Sequence, residues 1–499
     1  MGEAATLDIV QTGSGKVQGL QRGGHAAFYG IPYAASPSGA DRFKAPKPLQ
    51  PWEGVRRAHE KGFAALQTSH FIPGFAATGP QDEDCLNLNV FTPAADGAKR
   101  PVLFWIHGGG FTHGAGYEEL YDGGPLAERG DLVVVSINYR LGAFGFLSIP
   151  EAGIPGNAGL LDMVAALNWV RDNIGAFGGD PAQVTIFGES AGSAAVACLV
   201  AMPPAKGLFK RAILQSGVGR AGAPEIAAKA ADALLAKLGL DRSKTVELAR
   251  QPGAAILAAQ ASLGLAPGMG FGPVRDPESL PKGPLEFVSD GGAADIDILV
   301  GSNRDEVKLF MPAKRDPLSE EALIRAVRAR LPKADEAQAK DLVEVYRASR
   351  QTKGLPADNL DIVDAIASDA QFRIASTRFA AAQTPHRPAY LYLFTHVSPA
   401  RRGALGACHA LEMPFVFGTT AMPTQVRFAG EGPEVERLEG EMMDAWIAFT
   451  KTGNPAHPGI GAWPAHEAGE RTTMVFDTAR SGVQPDPFGE ERRALEPLL

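Results

Sequence analysis

The chain of 499 residues is 45% hydrophobic and 21% charged, an ordinary globular composition that excludes a disordered or fibrous protein and suffices to bury a large core. Lys and Arg number 48 against 56 Asp and Glu, a formal net charge of −8. No Lys/Arg block interrupts that balance, so the electrostatic footprint of a nucleic-acid binder is missing and anionic partners are disfavoured.

At the start, Met1 to Thr6 is acidic and has no basic flank followed by an apolar stretch, so it is not read as a secretory signal; the chain is expected to be cytoplasmic. Gly2 followed by Thr6 matches the myristoylation pattern formally, but no polybasic second signal accompanies it. The longest apolar stretch, near Ala194 to Met202, is far shorter than the roughly 20 residues that span a bilayer. Leu7 to Val10 and Lys16 to Leu20 alternate about the turn Thr12-Gly13-Ser14-Gly15, which predicts a β-hairpin. Gly13-Ser14-Gly15-Lys16 is no phosphate loop, because Val10 stands where the first Gly is required and Val17 follows the Lys.

Three short, nearly continuous apolar runs follow: Val102 to Ile106, Leu132 to Ile137 and Val184 to Phe187. Each suits a strand buried on both faces. Between the last two, Leu160 to Ile174 carries apolar residues at helical spacing, and strand, helix, strand is the signature of a parallel sheet covered by helices. Later strands are expected at Ile296 to Val300 and Ala389 to Phe394. Helices are expected at Ala223 to Leu240, at Ser319 to Arg330 with Ser319 as N-cap, at Ala334 to Arg350, and at Asp361 to Ala382. No repeat or low-complexity linker divides the chain, which is read as one α/β domain over 1–499 with helical insertions at roughly 221–270 and 312–385.

The strand Val184 to Phe187 runs into Gly188-Glu189-Ser190-Ala191-Gly192, a G-x-S-x-G followed by small, helix-compatible residues. A serine on so sharp a strand-to-helix turn needs glycines two positions to either side, and the N-terminus of the next helix favours a developing oxyanion. His107-Gly108-Gly109-Gly110-Phe111 directly follows another buried strand. Backbone N–H groups of Gly109 and Gly110, with that of Ala191, are therefore the candidate oxyanion donors.

A serine hydroxyl also needs a base. In α/β-hydrolases the order Ser, acid, His leaves His386, His396, His409, His457 and His466. His409 sits in a loop a few residues beyond the strand Ala389 to Phe394, where catalytic groups gather. The acid is expected at another strand end, in Asn303-Arg304-Asp305-Glu306, where spacing alone does not separate Asp305 from Glu306.

Over nearly its whole length the sequence resembles the type-B carboxylesterase family, which includes bacterial p-nitrobenzyl esterases, liver carboxylesterases and cholinesterases. The marks are Phe28 to Ala34, Arg42-Phe43, Glu83 to Asn89, His107 to Phe111, Asn138 to Phe146, Phe187 to Gly192 and Asn303 to Glu306. The resemblance implies an α/β-hydrolase fold, with a mostly parallel central sheet covered by helices on both faces and helical insertions over the active site. It implies Ser190 as acyl-enzyme nucleophile, His409 as general base then acid, and Glu306 as the orienting carboxylate. It also implies ion pairs Arg42–Glu83 and Arg140–Asp162.

The cysteine that partners Cys85 in secreted relatives is replaced here by Leu66, which leaves Cys85 free. Cys85, Cys198 and Cys408 are in any case too few for a disulfide framework, lack metal-ligand spacing, and are expected to be buried small side chains. The stretch between Leu66 and Cys85 holds Phe71 and Phe75 but no Trp, unlike the cholinesterases, whose Trp there binds quaternary ammonium. His113, Phe271, Phe310 and Met413 lie near the motifs and are candidates for the substrate pocket.

The expected reaction is hydrolysis of a small-molecule carboxylic ester, with short or medium acyl chains and alkyl or aryl alcohols. Neither metal nor organic cofactor is called for, nor a nucleic-acid or membrane partner, and the chain is expected to be a monomer or a weak homo-oligomer. The rivals are a serine hydrolase acting on amides, lactones or lipids, and a silent binding module on the same fold.

Overall fold

Apolar runs bounded by Gly, Asp and Pro form the strands their patterns suggest. The computed structural model describes residues 6–70, 72, 75–219, 221–266 and 268–499, with side chains from Ile9 onward; Gly2 and Phe71 fall outside that set. The strands are β1 Thr6–Gln11, β2 Lys16–Arg22, β3 His25–Pro32, β4 Val55–Arg57, β5 Asn87–Thr92, β6 Arg100–Ile106, β7 Val133–Ile137, β8 Ser148–Ile149, β9 Ile154–Pro155, β10 Gly179–Glu189, β11 Arg211–Gln215, β12 Asp297–Asn303, β13 Ala389–Phe394, β14 Thr472–Phe476 and β15 Gly482–Pro485. The described residues cluster into two compact units. One comprises the described residues up to Leu214 with Gly219–Asp297 and Trp446–Asn454; the other comprises Gln215–Val218, Ile298–Ala445 and Pro455–Leu499.

In the first unit the strand order is β1-β2-β3-β5-β7-β6-β10-β11, and β4 pairs with β2. The predicted hairpin forms, with Val10 opposite Val17 and Gln11 opposite Lys16. The pairings β1 to β2, β2 to β3, β3 to β5 and β5 to β7 are antiparallel, whereas β7, β6 and β10 run parallel. Val102 to Ile106 and Val133 to Val135 are completely buried, as helix-covered parallel strands require. Gly188 lies opposite Ile106 in the parallel register. The chain therefore leaves β6 into His107 and β10 into Ser190 at the same carboxyl edge, where α/β sheets place their chemistry.

The second unit has the parallel strands β12, β13 and β14, then antiparallel β15. Asn303 faces Phe394, so the segments that carry Glu306 and His409 also leave their strands at one edge. A separate apolar core, including Leu323, Val327, Leu342, Tyr346, Ile362 and Ile366, holds the helices of this unit together.

Helix ends follow the capping chemistry. Ser319 caps Glu320–Arg330 by accepting from the Ala322 N–H. The helix expected from Ala334 instead spans Glu336–Thr352, because Asp335 and Gln338 form a reciprocal capping box, with bonds of 2.8 and 3.0 Å, that leaves Ala334 outside. The helix expected over Asp361 to Ala382 is not continuous. Asn359–Ser368, capped by Asp358, passes through a π turn at Asp369–Arg373 into Ile374–Gln383.

Both ion pairs form. Arg42 Nε lies 2.6 Å from Glu83 Oε2, and Arg140 reaches Asp162 with bonds of 2.8 and 2.6 Å. The three cysteines are buried and free. Burial pushes the Cys198 thiol up to about 12 and raises the Cys85 thiol as well. Among the described residues, no helix is long and apolar enough to cross a membrane.

Candidate active site

Ser190 stands between β10 and the helix Ala191–Ala201 with φ 57° and ψ −121°, a conformation that costs a non-glycine residue of order 1–3 kcal/mol. The flanking glycines make that turn possible. A Cβ on Gly192 would strike the Ile106 carbonyl oxygen, and one on Gly188 would lie 2.5 Å from the Gly192 carbonyl carbon. The turn is thus packed directly against the end of β6, with Gly108 beside it: a Cβ there would lie 2.8 Å from Glu189 O and 3.1 Å from Ser190 Cβ.

The loop after β6 folds back on itself. Gly109 (φ 102°) and Gly110 (φ 63°) adopt backbone that favours glycine, and the Gly109 carbonyl accepts from the N–H groups of Thr112 and His113 at 3.1 and 3.0 Å. Among the described residues, no acceptor takes the N–H groups of Gly109, Gly110 or Ala191. For Ala191 this follows from its place at a helix N-terminus, where the first N–H groups have no intrahelical partner. Beneath the loop, the His107 ring stacks on Tyr139 at 4.5 Å, and the Tyr139 hydroxyl donates to the His107 carbonyl. Burial lowers the His107 pKa to about 4, although its bond to the Gly108 carbonyl pulls the other way.

His113 Nε2 lies 3.1 Å from Thr68 Oγ1 and Nδ1 lies 2.8 Å from Thr112 Oγ1. Burial and neighbouring His70 bring its pKa down to about 4, so it is neutral near pH 7. Phe271, another of the pocket candidates, is almost wholly buried in the first unit.

In the second unit, His409 Nδ1 lies 2.5 Å from Glu306 Oε2, and the His409 N–H donates to the Glu306 carbonyl. Both side chains are completely buried. Asp305, which spacing could not separate from Glu306, is engaged elsewhere: it bonds Arg304 Nε and the Ala407 N–H. Burial raises its pKa, but the charges of Arg304, Lys308 and Arg350 and the Ala407 N–H outweigh that and hold it at about 2. Phe310, 36% exposed, packs its ring 5.1 Å from His409. Met413 is fully buried, its sulfur accepting from Gln215 Nε2 at 3.3 Å.

Several residues around His409 had no sequence assignment. Asn303 Nδ2 donates to Cys408 O at 2.7 Å and to Glu412 Oε2 at 2.6 Å, its N–H donates to Glu306 Oε1, and Gln215 reaches Glu412. Glu412, three residues beyond His409, lies in none of the recognised motifs; Asn303 lies inside the Asn303 to Glu306 motif, so a clue existed for it. Phe372, whose ring lies 5.0 Å from His409, left none, because the π turn that presents it has no signature in the apolar spacing. Cys408, next to His409, is no rival nucleophile: burial, with Glu306, Asp305 and Glu412 nearby, raises its thiol pKa well above the ordinary value.

Residues 6–492 match the sequence profile of the Carboxylesterase family. The para-nitrobenzyl esterase of Bacillus subtilis (strain 168) is 39% identical over 500 residues, covering 99% of each chain. The phenmedipham hydrolase of Pseudarthrobacter oxydans is 37% identical, covering 96% of this chain and 98% of the relative. Among solved structures, a PNB esterase superposes with a TM-score of 0.87 at 39% identity, and a carboxylesterase of Geobacillus stearothermophilus with 0.87 at 40%. Each match covers 98% of this chain and 99% of the other.

Proposed function

Since the chain belongs to the type-B carboxylesterase family, and is therefore a carboxylic ester hydrolase of α/β-hydrolase fold, we propose that it hydrolyses esters of short or medium acyl chains with alkyl or aryl alcohols through a Ser190–His409–Glu306 triad. The observation that carries this reading is the strained Ser190 turn beside backbone N–H groups that no described residue takes. The His409–Glu306 pair supports it.

An ionised carboxylate only accepts hydrogen bonds, so Glu306 keeps the His409 proton on Nδ1 and leaves Nε2 as the basic nitrogen. His409 takes the Ser190 hydroxyl proton as Oγ attacks the ester carbonyl. The N–H groups of Gly109, Gly110 and Ala191 stabilise the oxyanion, each donor being worth about 10²–10³ in turnover. His409 then returns the proton to the leaving alcohol. Water attacks the acyl-enzyme by the same route and releases the acid.

The test is a series of p-nitrophenyl esters from acetate to palmitate, with the protein beside Ser190→Ala and a serine-directed organophosphate applied to both. Turnover is expected to peak at or below about C8, to fall at least about a thousandfold in the variant, and to be blocked by one label per chain. A rate that rises with chain length and jumps at an oil surface would make the enzyme a lipase. A folded protein that neither turns over nor takes the label would return it to the binding-module class.

A further inference from the structure

Asp305 is a buried carboxylate that the proposed reaction does not use, next in sequence to one that it does. Its N–H donates to Ala407 O at 2.9 Å, and its Oδ2 accepts from Ala407 N at 3.0 Å. These reciprocal bonds grip the segment that reaches His409 two residues later. The fit is close, since a Cβ on Gly406 (φ 59°) would lie 2.5 Å from Asp305 Oδ2. Oδ2 also takes Arg304 Nε at 2.9 Å, and Oδ1 lies 3.5 Å from Arg350 Nη2. Arg350 is itself anchored, donating from Nε to Pro356 O at 2.6 Å. Asp305 and Arg350 are each 2% exposed.

Glu306 holds the same loop two residues further on, through the His409 N–H and Nδ1. Consecutive carboxylates thus fasten residues 407 and 409 of one loop. The following residue, Ala410, sits in left-handed backbone (φ 61°), a strained conformation that persists only when its surroundings impose it. We propose that Asp305 is a positioning residue of the hydrolytic reaction, one that sets the Ala407–His409 segment so that the imidazole meets Glu306 in line. This rests on His409 being the base.

The charged groups facing Asp305 are Arg304, Lys308 and Arg350. His409 faces Glu306 and the apolar rings of Phe310 and Phe372. Asp305→Ala alone would leave Arg350 buried without its counter-charge and would report on folding. The informative comparison is Asp305→Asn/Arg350→Met against Asp305→Ala/Arg350→Met. Both lack the two charges, and only the first keeps an acceptor for the Ala407 N–H.

With p-nitrophenyl butyrate the Asn/Met protein is expected to keep kcat within about threefold of the unmodified enzyme, whereas the Ala/Met protein loses about 10–100-fold in kcat with KM within about threefold, the scale of a misplaced catalytic group. The far-downfield proton resonance of the imidazole Nδ1–H should persist in the first and vanish in the second. Equal kcat in the two proteins, or a loss in Ala/Met with that resonance intact, overturns the proposal. Full turnover in His409→Gln would overturn the base assignment itself, whichever way the pair behaves.

Discussion

At the scale of single residues, the site is defined by how little space the glycines leave. Gly192→Ala drives a methyl group into the Ile106 carbonyl oxygen and the His107 backbone. A loss of stability of about 1–3 kcal/mol or more is expected, read as a lower urea midpoint. Gly109→Ala meets the His113 carbonyl oxygen at a φ of 102° and tilts a proposed oxyanion donor. Its kcat is expected to fall about 10²–10³-fold, the cost of one such donor. Gly97 has nothing within 4 Å of its would-be Cβ, so Gly97→Ala should change neither quantity and serves as the control. A Gly109→Ala protein with unchanged kcat would remove that loop from the proposed mechanism.

At the scale of elements, buried charge ties the helices to the strand ends. Asp162, on the helix Ala158–Asn173, accepts from Arg140 Nε and Nη2 and from its backbone N–H, and both side chains are almost wholly inaccessible. Arg140→Met leaves the Asp162 charge stranded and is expected to cost about 3–5 kcal/mol, while Arg140→Met/Asp162→Leu should recover most of it. Urea denaturation of the three proteins checks this, and a double variant no better than the single would show that the pair matters for more than charge balance. The π turn acts at the same scale. Its Asp369 and Arg373 pair with one another, Tyr346 donates to Asp369, and the widened turn carries Phe372 onto His409.

At the scale of the whole molecule, the buried titratable groups fix how stability follows pH. His107 keeps its proton off until about pH 4, whereas the unfolded chain takes one up near 6.5. The folded state therefore binds fewer protons between those values, and stability is lost as pH falls from 6.5 to 4, by of order 3 kcal/mol. Glu491 works in the opposite sense. Burial and the nearby Asp369 raise it to about 7, so its contribution is lost as pH rises from its ordinary value of 4.5 towards 7. Asp305, held at about 2, stabilises above its ordinary 3.8 and loses that contribution only as pH falls towards 2. His113, also held at about 4, adds to the loss, so the two histidines outweigh Glu491 and the urea midpoint is expected to drop between pH 6.5 and 4; His107→Gln should flatten that limb. Parallel profiles for the two proteins would mean that another group is responsible.

Contiguous patterns were legible in the sequence alone. β13 spans Ala389–Phe394 as its apolar run indicates, Ser319 caps its helix, and the Ser190 turn follows from glycines two positions to either side of it. Each depends on backbone sterics or hydrogen bonds within a few residues, which sequence spacing encodes directly. The choice between Asp305 and Glu306 was not legible from spacing, because two adjacent carboxylates have the same local pattern. They are separated only by what folds against them: Ala407, Arg304 and Arg350 on one, and His409, 103 residues away in sequence, on the other. The links from Asn303 to Glu412 and from Phe372 to His409 likewise join distant segments, one of them through a π turn that apolar periodicity does not register. The strand-borne motifs were thus set by local chemistry. The partner of each buried charge was decided by packing, since only the assembled interior determines which opposite charge or N–H group compensates its lost hydration.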